Sequence, residues 1–268
     1  MSSLSHIIRS FNRFELKYLV TLRKAENFKR ALNAYLQPDG NGNGCGAYEL
    51  ASLYFDSPDY RCYWEKVDGI KFRRKLRIRR YGTGAPLEDE TPVFVEIKQR
   101  VDRVTQKRRA LLPYREALRL CYDRDLPEHE THDAAVIEEI ATLLWQYNLH
   151  PASLIQYRRE AWIGSDYDIG LRVTFDTEMR YHTNFRGTGV ELDDTLAQKP
   201  LFPPEWVIVE IKVNERIPYW LTELVASHNL SLVRVSKYCR SIELAQNTGN
   251  LEIAGGTHHD PVLLNTRL

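Results

Sequence analysis

Residues 71–79, KFRRKLRIR, set one side of a β-strand against the other. Side chains alternate across a strand, so Lys71, Arg73, Lys75, Arg77 and Arg79 share a face, while Phe72, Leu76 and Ile78 share the opposite one, interrupted only by Arg74. Same-face cations ~7 Å apart repel by roughly 2 kcal/mol at an effective dielectric of 20. Solvent, nearby acids or a bound anion must offset that. The pattern recurs along the chain. Glu15-Leu16-Lys17, Glu96-Ile97-Lys98 and Glu210-Ile211-Lys212 repeat one acid-apolar-base triplet, and in VFVEIK and WVIVEIKV the opposite face is uniformly Val and Ile. GLRVTFD at 170–176 places Arg172, Thr174 and Asp176 together, and Arg234 and Ser236 share a face further on. Strands charged on one face and apolar on the other predict an antiparallel barrel with a polar lumen and an outer surface partly covered by helices.

The order of elements supports this. RFELKYLV reads as a strand, and Thr21 opens a helix with Leu22, Ala25, Phe28, Leu32 and Tyr35 on one stripe, stopped by Pro38-Asp39-Gly40. Strands are predicted at 48–56, 70–81, 92–100 and 104–112, followed by helical YREALRLCYD and DAAVIEEIATLLWQYN. Further strands are predicted at 153–163, 169–176, 179–191 and 206–213. Pro218 opens a short helix, Leu232 to Val235 form a last strand, and Ser236 caps a final helix. This is a mainly β, α+β pattern and not the alternation of a parallel doubly wound sheet. Residues 1–246 read as one domain and 247–268 as a tail.

Two motifs are set aside. GNGNGCG at 40–46 lacks the Gly-Lys-Ser/Thr ending of a phosphate loop and runs into a strand, so it reads as a flexible loop. His129-Glu130-Thr131-His132 precedes a helix and reads as a polar loop in which Thr131 or Asp133 caps, and His258-His259 lie in the tail. The balance of 37 Lys+Arg against 36 Asp+Glu argues against nonspecific nucleic-acid binding. No apolar run approaches the ~20 residues that cross a bilayer. The start shows no secretory signal, and Cys45, Cys62, Cys121 and Cys239 form no C-x-x-C pair, which predicts reduced thiols and a cytoplasmic protein.

The segments RFELKYLV, SLYFDSPDYRCYWEKVDGIKFRRKLRIRRYG, VFVEIKQRVDRVTQKRRA, LIQYRREAW, GLRVTFDTEM, VIVEIKV and VRVSKYCRSIE occur in that order from about residue 10 to 245. The set resembles the VTC domain, the polyphosphate polymerase branch of the triphosphate tunnel metalloenzyme (CYTH-like) superfamily. The resemblance implies an eight-stranded antiparallel tunnel with flanking helices that binds ATP and polyphosphate. It implies phosphate-ligand roles for Lys17, Arg77, Arg79, Lys98, Arg159 and Arg172, and further substrate contacts from Lys107, Tyr157, Arg234, Ser236 and Lys237. Glu210 would be the main ligand of Mn²⁺ or Mg²⁺, with Glu96 and Glu15 as further acids. Lys107, Arg108 and Arg109 are adjacent, so their register stays open, and Arg234 and Lys237 fall on opposite faces unless the strand end or helix start turns one inward. Eukaryotic members of the family carry membrane segments and a phosphate-sensing domain; this sequence shows neither, which would leave any membrane partner a separate protein.

The implied reaction moves the γ-phosphoryl group of ATP onto a polyphosphate chain. Such transfer needs alignment and charge neutralisation more than a dedicated nucleophile. The same cations would also suit a triphosphatase, or a non-catalytic module that binds polyphosphate or an inositol pyrophosphate. An acid at Glu210 weighs against the last, since a pure anion binder has little need of one.

Overall fold

The computed structural model describes residues 13–40, 46–82, 87–102, 104–127, 133–164, 170–183, 185, 192, 196–214 and 216–248. The strands are β1 (Arg13–Thr21), β2 (Leu36–Pro38), β3 (Ala47–Asp56), β4 (Phe72–Tyr81), β5 (Pro92–Val101), β6 (Val104–Pro113), β7 (His150–Gly164), β8 (Arg172–His182), β9 (Lys199–Pro200) and β10 (Trp206–Asn214). The helices are α1 (Leu22–Leu32), α2 (Arg61–Val67), α3 (Tyr114–Leu118), α4 (Ala134–Gln146), α5 (Tyr219–Ser227) and α6 (Lys237–Asn247), and a π-helical turn, Arg119–Asp123, prolongs α3.

Eight strands run antiparallel in the order β1-β10-β8-β7-β3-β4-β5-β6, with β2 and β9 as short additions on β7 and β8. The sheet curls but does not close, because no backbone ladder joins β1 to β6 among the described residues. Side chains bring the two ends together instead: Lys98 of β5 donates to Glu15 of β1 at 2.8 Å. A mainly antiparallel tunnel-type sheet with flanking helices is therefore what the chain forms, with an open seam in place of a continuous barrel wall.

The apolar faces point outward and are covered by helices. One core packs α4, through Ile137, Ile140, Leu143 and Leu144, against Leu76, Ile78, Val95 and Ile97 of β4 and β5. The other packs Phe28 and Leu32 of α1 and Leu221 of α5 against Val207, Val209 and Ile211 of β10. Each such buried side chain contributes roughly 1.5–3 kcal/mol. With its apolar surface spent on the exterior, the concave face keeps the charged residues.

Two expectations change, and one helix is additional. The stretch 179–191 is no separate strand, since β8 runs on to His182 and residues 186–191 lie outside the described residues. Leu232 to Val235 form no strand: a single bridge, Tyr18 to Leu232, and one bond from Val233 N to Lys17 O at 2.8 Å hold the segment beside β1. Helix α2 has no counterpart in the sequence reading. Ser236 does cap α6, accepting from Cys239 N at 3.4 Å. The His129–His132 motif, His258-His259 and Cys45 lie outside the described residues, whereas Cys62, Cys121 and Cys239 are free and buried.

Candidate functional site

Register places the triplets. On the wall formed by β1, β10 and β8, Lys17 stands opposite Glu210 and Glu210 opposite Thr174, while Glu15 faces Lys212 and Lys212 faces Arg172. Asp176 pairs across to Arg159 of β7. Glu210 is the hub of this wall. Its Oε1 lies 3.1 Å from Lys17 Nζ and 3.3 Å from Lys237 Nζ, and its Oε2 lies 3.5 Å from both Arg159 Nη2 and Lys212 Nζ. Asp176 receives Arg159 through two bonds, at 2.6 and 2.7 Å, and Lys237 Nζ at 2.5 Å.

The electrostatics follow from this crowding. Burial alone would raise the Glu210 carboxyl, but Lys17, Lys237, Lys212 and Arg159 outweigh it and hold it well below the usual carboxylate range. Asp176 is lowered in the same way, burial being outweighed by Arg159 and Lys237. Lys212 has the Glu210 carboxylate 3.5 Å away, but burial, with Arg159 and Lys98, outweighs it and brings its ammonium down to about 7.

The facing wall is built by β3, β4, β5 and β6. Tyr54 sits opposite Arg77, Arg77 opposite Glu96 and Glu96 opposite Arg109. Arg77 donates to Glu96 Oε2 through Nε and Nη2, at 2.8 and 2.6 Å, and through Nη1 to the Tyr54 hydroxyl at 2.9 Å. Lys107 reaches Glu96 Oε1 at 3.1 Å. The adjacent Arg108 turns outward to pair with Glu139 of α4, which settles the register of that run. Arg79 donates to Ser52 Oγ at 3.0 Å and to the Tyr157 hydroxyl at 3.1 Å. Burial raises the Tyr54 phenol, yet Arg77 and Arg79 overcome it and bring the group down to about 8.

Helix α6 completes the site from its first turn. Its N-terminus turns Lys237 inward to Asp176 and Glu210, while Ser236 Oγ accepts from Lys75 Nζ at 3.3 Å. Arg234 is exposed. Arg172 is engaged at another margin, by Asp39 at 2.6 Å and by the Tyr48 hydroxyl at 2.9 Å. The structure thus brings Lys17, Arg77, Arg79, Lys98, Lys107, Tyr157, Arg159, Arg172, Ser236 and Lys237 onto or beside the concave face. Residues that the sequence reading did not name for the site are Asp39, Tyr48, Tyr54, Lys75, Asp176 and Lys212. The alternation pattern already put Asp176 beside Arg172, but nothing in sequence tells a counter-ion from a spectator.

The acids differ in how they could serve a metal. Among the described residues no three His, Cys, Asp or Glu form a metal-binding group. Both oxygens of Glu96 are engaged by Arg77 and Lys107 and both of Glu210 by its four cations, but Glu96 stands on the β4–β6 wall, paired with no second acid among the described residues. Glu210 and Glu15 are bridged by Lys17, which is 3.1 Å from the one and 3.9 Å from the other. A hard divalent cation is commonly held by one or two carboxylates together with substrate phosphates, and Glu210 with Glu15 fits that mode.

A curled antiparallel sheet whose concave face gathers more cations than acids defines an anion-binding tunnel. Residues 12–246 match the model of the VTC domain, and the chain belongs to that family. The solved structures that resemble it include two that align over most of this chain. A candidate adenylate cyclase from Bacillus halodurans aligns with a TM-score of 0.44 and 17% identity, covering 84% of this chain and 95% of its own. The PH1819 protein from Pyrococcus horikoshii OT3 aligns with a TM-score of 0.43 and 12% identity, covering 88% and 99%. A search of curated proteins finds no match. No helix among the described residues is long and apolar enough to cross a membrane.

Proposed function

We propose that this chain is a metal-dependent polyphosphate polymerase that transfers the γ-phosphoryl group of ATP to the end of an inorganic polyphosphate chain. One observation carries the reading: within a VTC domain, the carboxylate of Glu210 is ringed by Lys17, Lys237, Arg159 and Lys212 at 3.1–3.5 Å. A site with surplus cations around a central acid suits a triphosphate that arrives with its own divalent ion.

In this mechanism Arg77, Arg79, Arg159 and Arg172 offer planar donors to phosphate oxygens, while Lys17, Lys98 and Lys237 act as point charges. Tyr157 and Ser236 each accept from a lumen cation and keep a hydroxyl hydrogen to donate. A terminal oxygen of the acceptor chain attacks the γ-phosphorus, the bond to the β-phosphate oxygen breaks, and ADP leaves with the electron pair. The attacking oxygen is already anionic, so no general base is required. The transition state spreads charge over equatorial oxygens, where fixed guanidinium and ammonium groups act without reorganising. Mg²⁺ or Mn²⁺, held by Glu210 with Glu15, would supply additional neutralisation of phosphate charge. Free, reduced Cys62, Cys121 and Cys239 accord with work in the cytoplasm.

Incubation with ATP and Mn²⁺, with products separated by size, tests this. The expected outcome is ADP together with a ladder of phosphate polymers. Stoichiometric orthophosphate with no polymer, while added polyphosphate stays intact, would reassign the chain to a triphosphatase; binding without turnover would reassign it to a sensor.

A further inference from the structure

The concave face is not evenly neutralised along its length. Around Glu210, Asp176 and Glu96, Lys17, Arg77, Lys107, Arg159, Lys212 and Lys237 each have a carboxylate partner, whereas Arg79 rests on the Ser52 and Tyr157 hydroxyls. Moving along β4 and β5 from the Arg77–Glu96 row, the next two rows place Lys75 opposite Lys98 and Arg73 opposite Arg100. Like charges directly opposite on neighbouring strands are destabilising. Lys98 reaches Glu15, but the other three find only neutral acceptors among the described residues. Lys75 donates to Ser236 Oγ and Cys239 Sγ at 3.3 and 3.2 Å, Arg73 to the Ile70 carbonyl at 2.6 Å, and Arg100 to the Asp102 carbonyl at 2.8 Å. Lys66 of α2 joins them: burial, then Lys75, Arg73 and Arg100, lower its ammonium, and burial, then Arg100, lower the Arg73 guanidinium. A fold that balances most of its other lumen cations with acids leaves this end carrying uncompensated positive charge.

We propose that this end of the tunnel, formed by Lys66, Arg73, Lys75 and Arg100, is a separate subsite that holds the length of a linear polyphosphate extending beyond the triphosphate-binding centre. The inference rests on the polyphosphate reading above and adds the direction in which the chain lies. The Arg73–Arg100 row is four residues from the Arg77–Glu96 row, about 13 Å at 3.3 Å per residue, so a ligand must be elongated to touch both. A repeating phosphate chain offers anionic oxygens at every step, which suits guanidinium donors set in successive rows.

The test is calorimetric titration of the full chain and of the double variant Arg73→Gln/Arg100→Gln with inorganic tripolyphosphate, with long-chain polyphosphate and with a single-stranded DNA oligonucleotide. Losing two charge-assisted contacts should weaken long-chain polyphosphate binding about tenfold or more while tripolyphosphate affinity stays within about twofold. A single charge reversal, Arg100→Glu, should weaken the long chain equally and, by pairing with Arg73, leave the melting temperature unchanged or higher. Equal loss for both phosphate ligands, no loss for either, or wild-type binding of the oligonucleotide as tight as that of long-chain polyphosphate would overturn the subsite. Wild-type binding of tripolyphosphate without any gain for the long chain would overturn the subsite alone, whereas binding of neither phosphate ligand would overturn the polyphosphate reading with it.

Discussion

Tyr54 shows how one side chain can report on the whole site. Its hydroxyl accepts from Arg77, and its ring stacks on Tyr238 with centroids 5.4 Å apart, so it is fixed among cations. Its phenol is brought down to about 8, against about 10 when unfolded. An acid lowered on folding adds stability above its unfolded value and loses it as pH falls through the folded one. Wild-type stability should therefore rise between pH 8 and 10 relative to Tyr54→Phe. A tyrosinate absorbance step near pH 8 should accompany it and vanish in the variant; finding that step unchanged in Tyr54→Phe would remove Tyr54 from this role. Glu210→Gln separates two other effects. It leaves Lys17, Lys237 and Arg159 without their shared anion, which should cost the unliganded protein about 3–5 kcal/mol, while polyphosphate binding persists or tightens and turnover collapses. Full metal-dependent activity in this variant would show that Glu210 holds no metal. The lumen cations were legible because a period of two exposes them. Tyr54 was not, since an aromatic residue in LYFD reads as core until its partner is seen.

At the scale of elements, the strands were legible and their ends were not. Uniform Val and Ile on one face of VFVEIK and WVIVEIKV specify both strand and side, and β5 and β10 follow. Helix α2 escaped because seven residues give too little periodicity, and because its start is fixed from a distance. The buried carboxylate of Asp56 accepts from Ser57 N at 2.8 Å, Cys62 N at 2.7 Å and Tyr63 N at 3.0 Å, and it also accepts the Tyr238 hydroxyl from α6. One acid at the end of β3 thus caps α2 and anchors the helix whose first turn carries Lys237. The segment before α6 failed as a strand for another reason: Tyr18 offers Leu232 only one bridge. Asp56→Ala strips several buried donors of their acceptor and should destabilise the fold by about 3 kcal/mol or more. Because α6 is anchored through the same acid, phosphate affinity should fall as well. Denaturant unfolding checks the first effect and titration with tripolyphosphate the second; a variant as stable as wild type would contradict the anchoring role.

Across the whole molecule, two demands compete. Packing dominates the convex side, where helices cover most of the apolar faces, whereas the concave side holds repelling cations and the edge strands β1 and β6 share no ladder among the described residues. The Lys98–Glu15 pair links the β1 edge to β5, and its lysine is 37% exposed, so this closure is of the weak, screened kind. A polyanion that touches both walls would supply the missing counter-charge and draw the seam together. A ligand at 100 times its Kd adds about 2.7 kcal/mol to stability by mass action. Tripolyphosphate should therefore raise the melting temperature clearly more than sodium chloride of equal ionic strength, and the gain should shrink as salt is added, because part of it is relief of repulsion. If millimolar tripolyphosphate left the melting curve where chloride leaves it, the concave cations would have to be balanced within the fold itself, and the tunnel would lose its standing as a phosphate site.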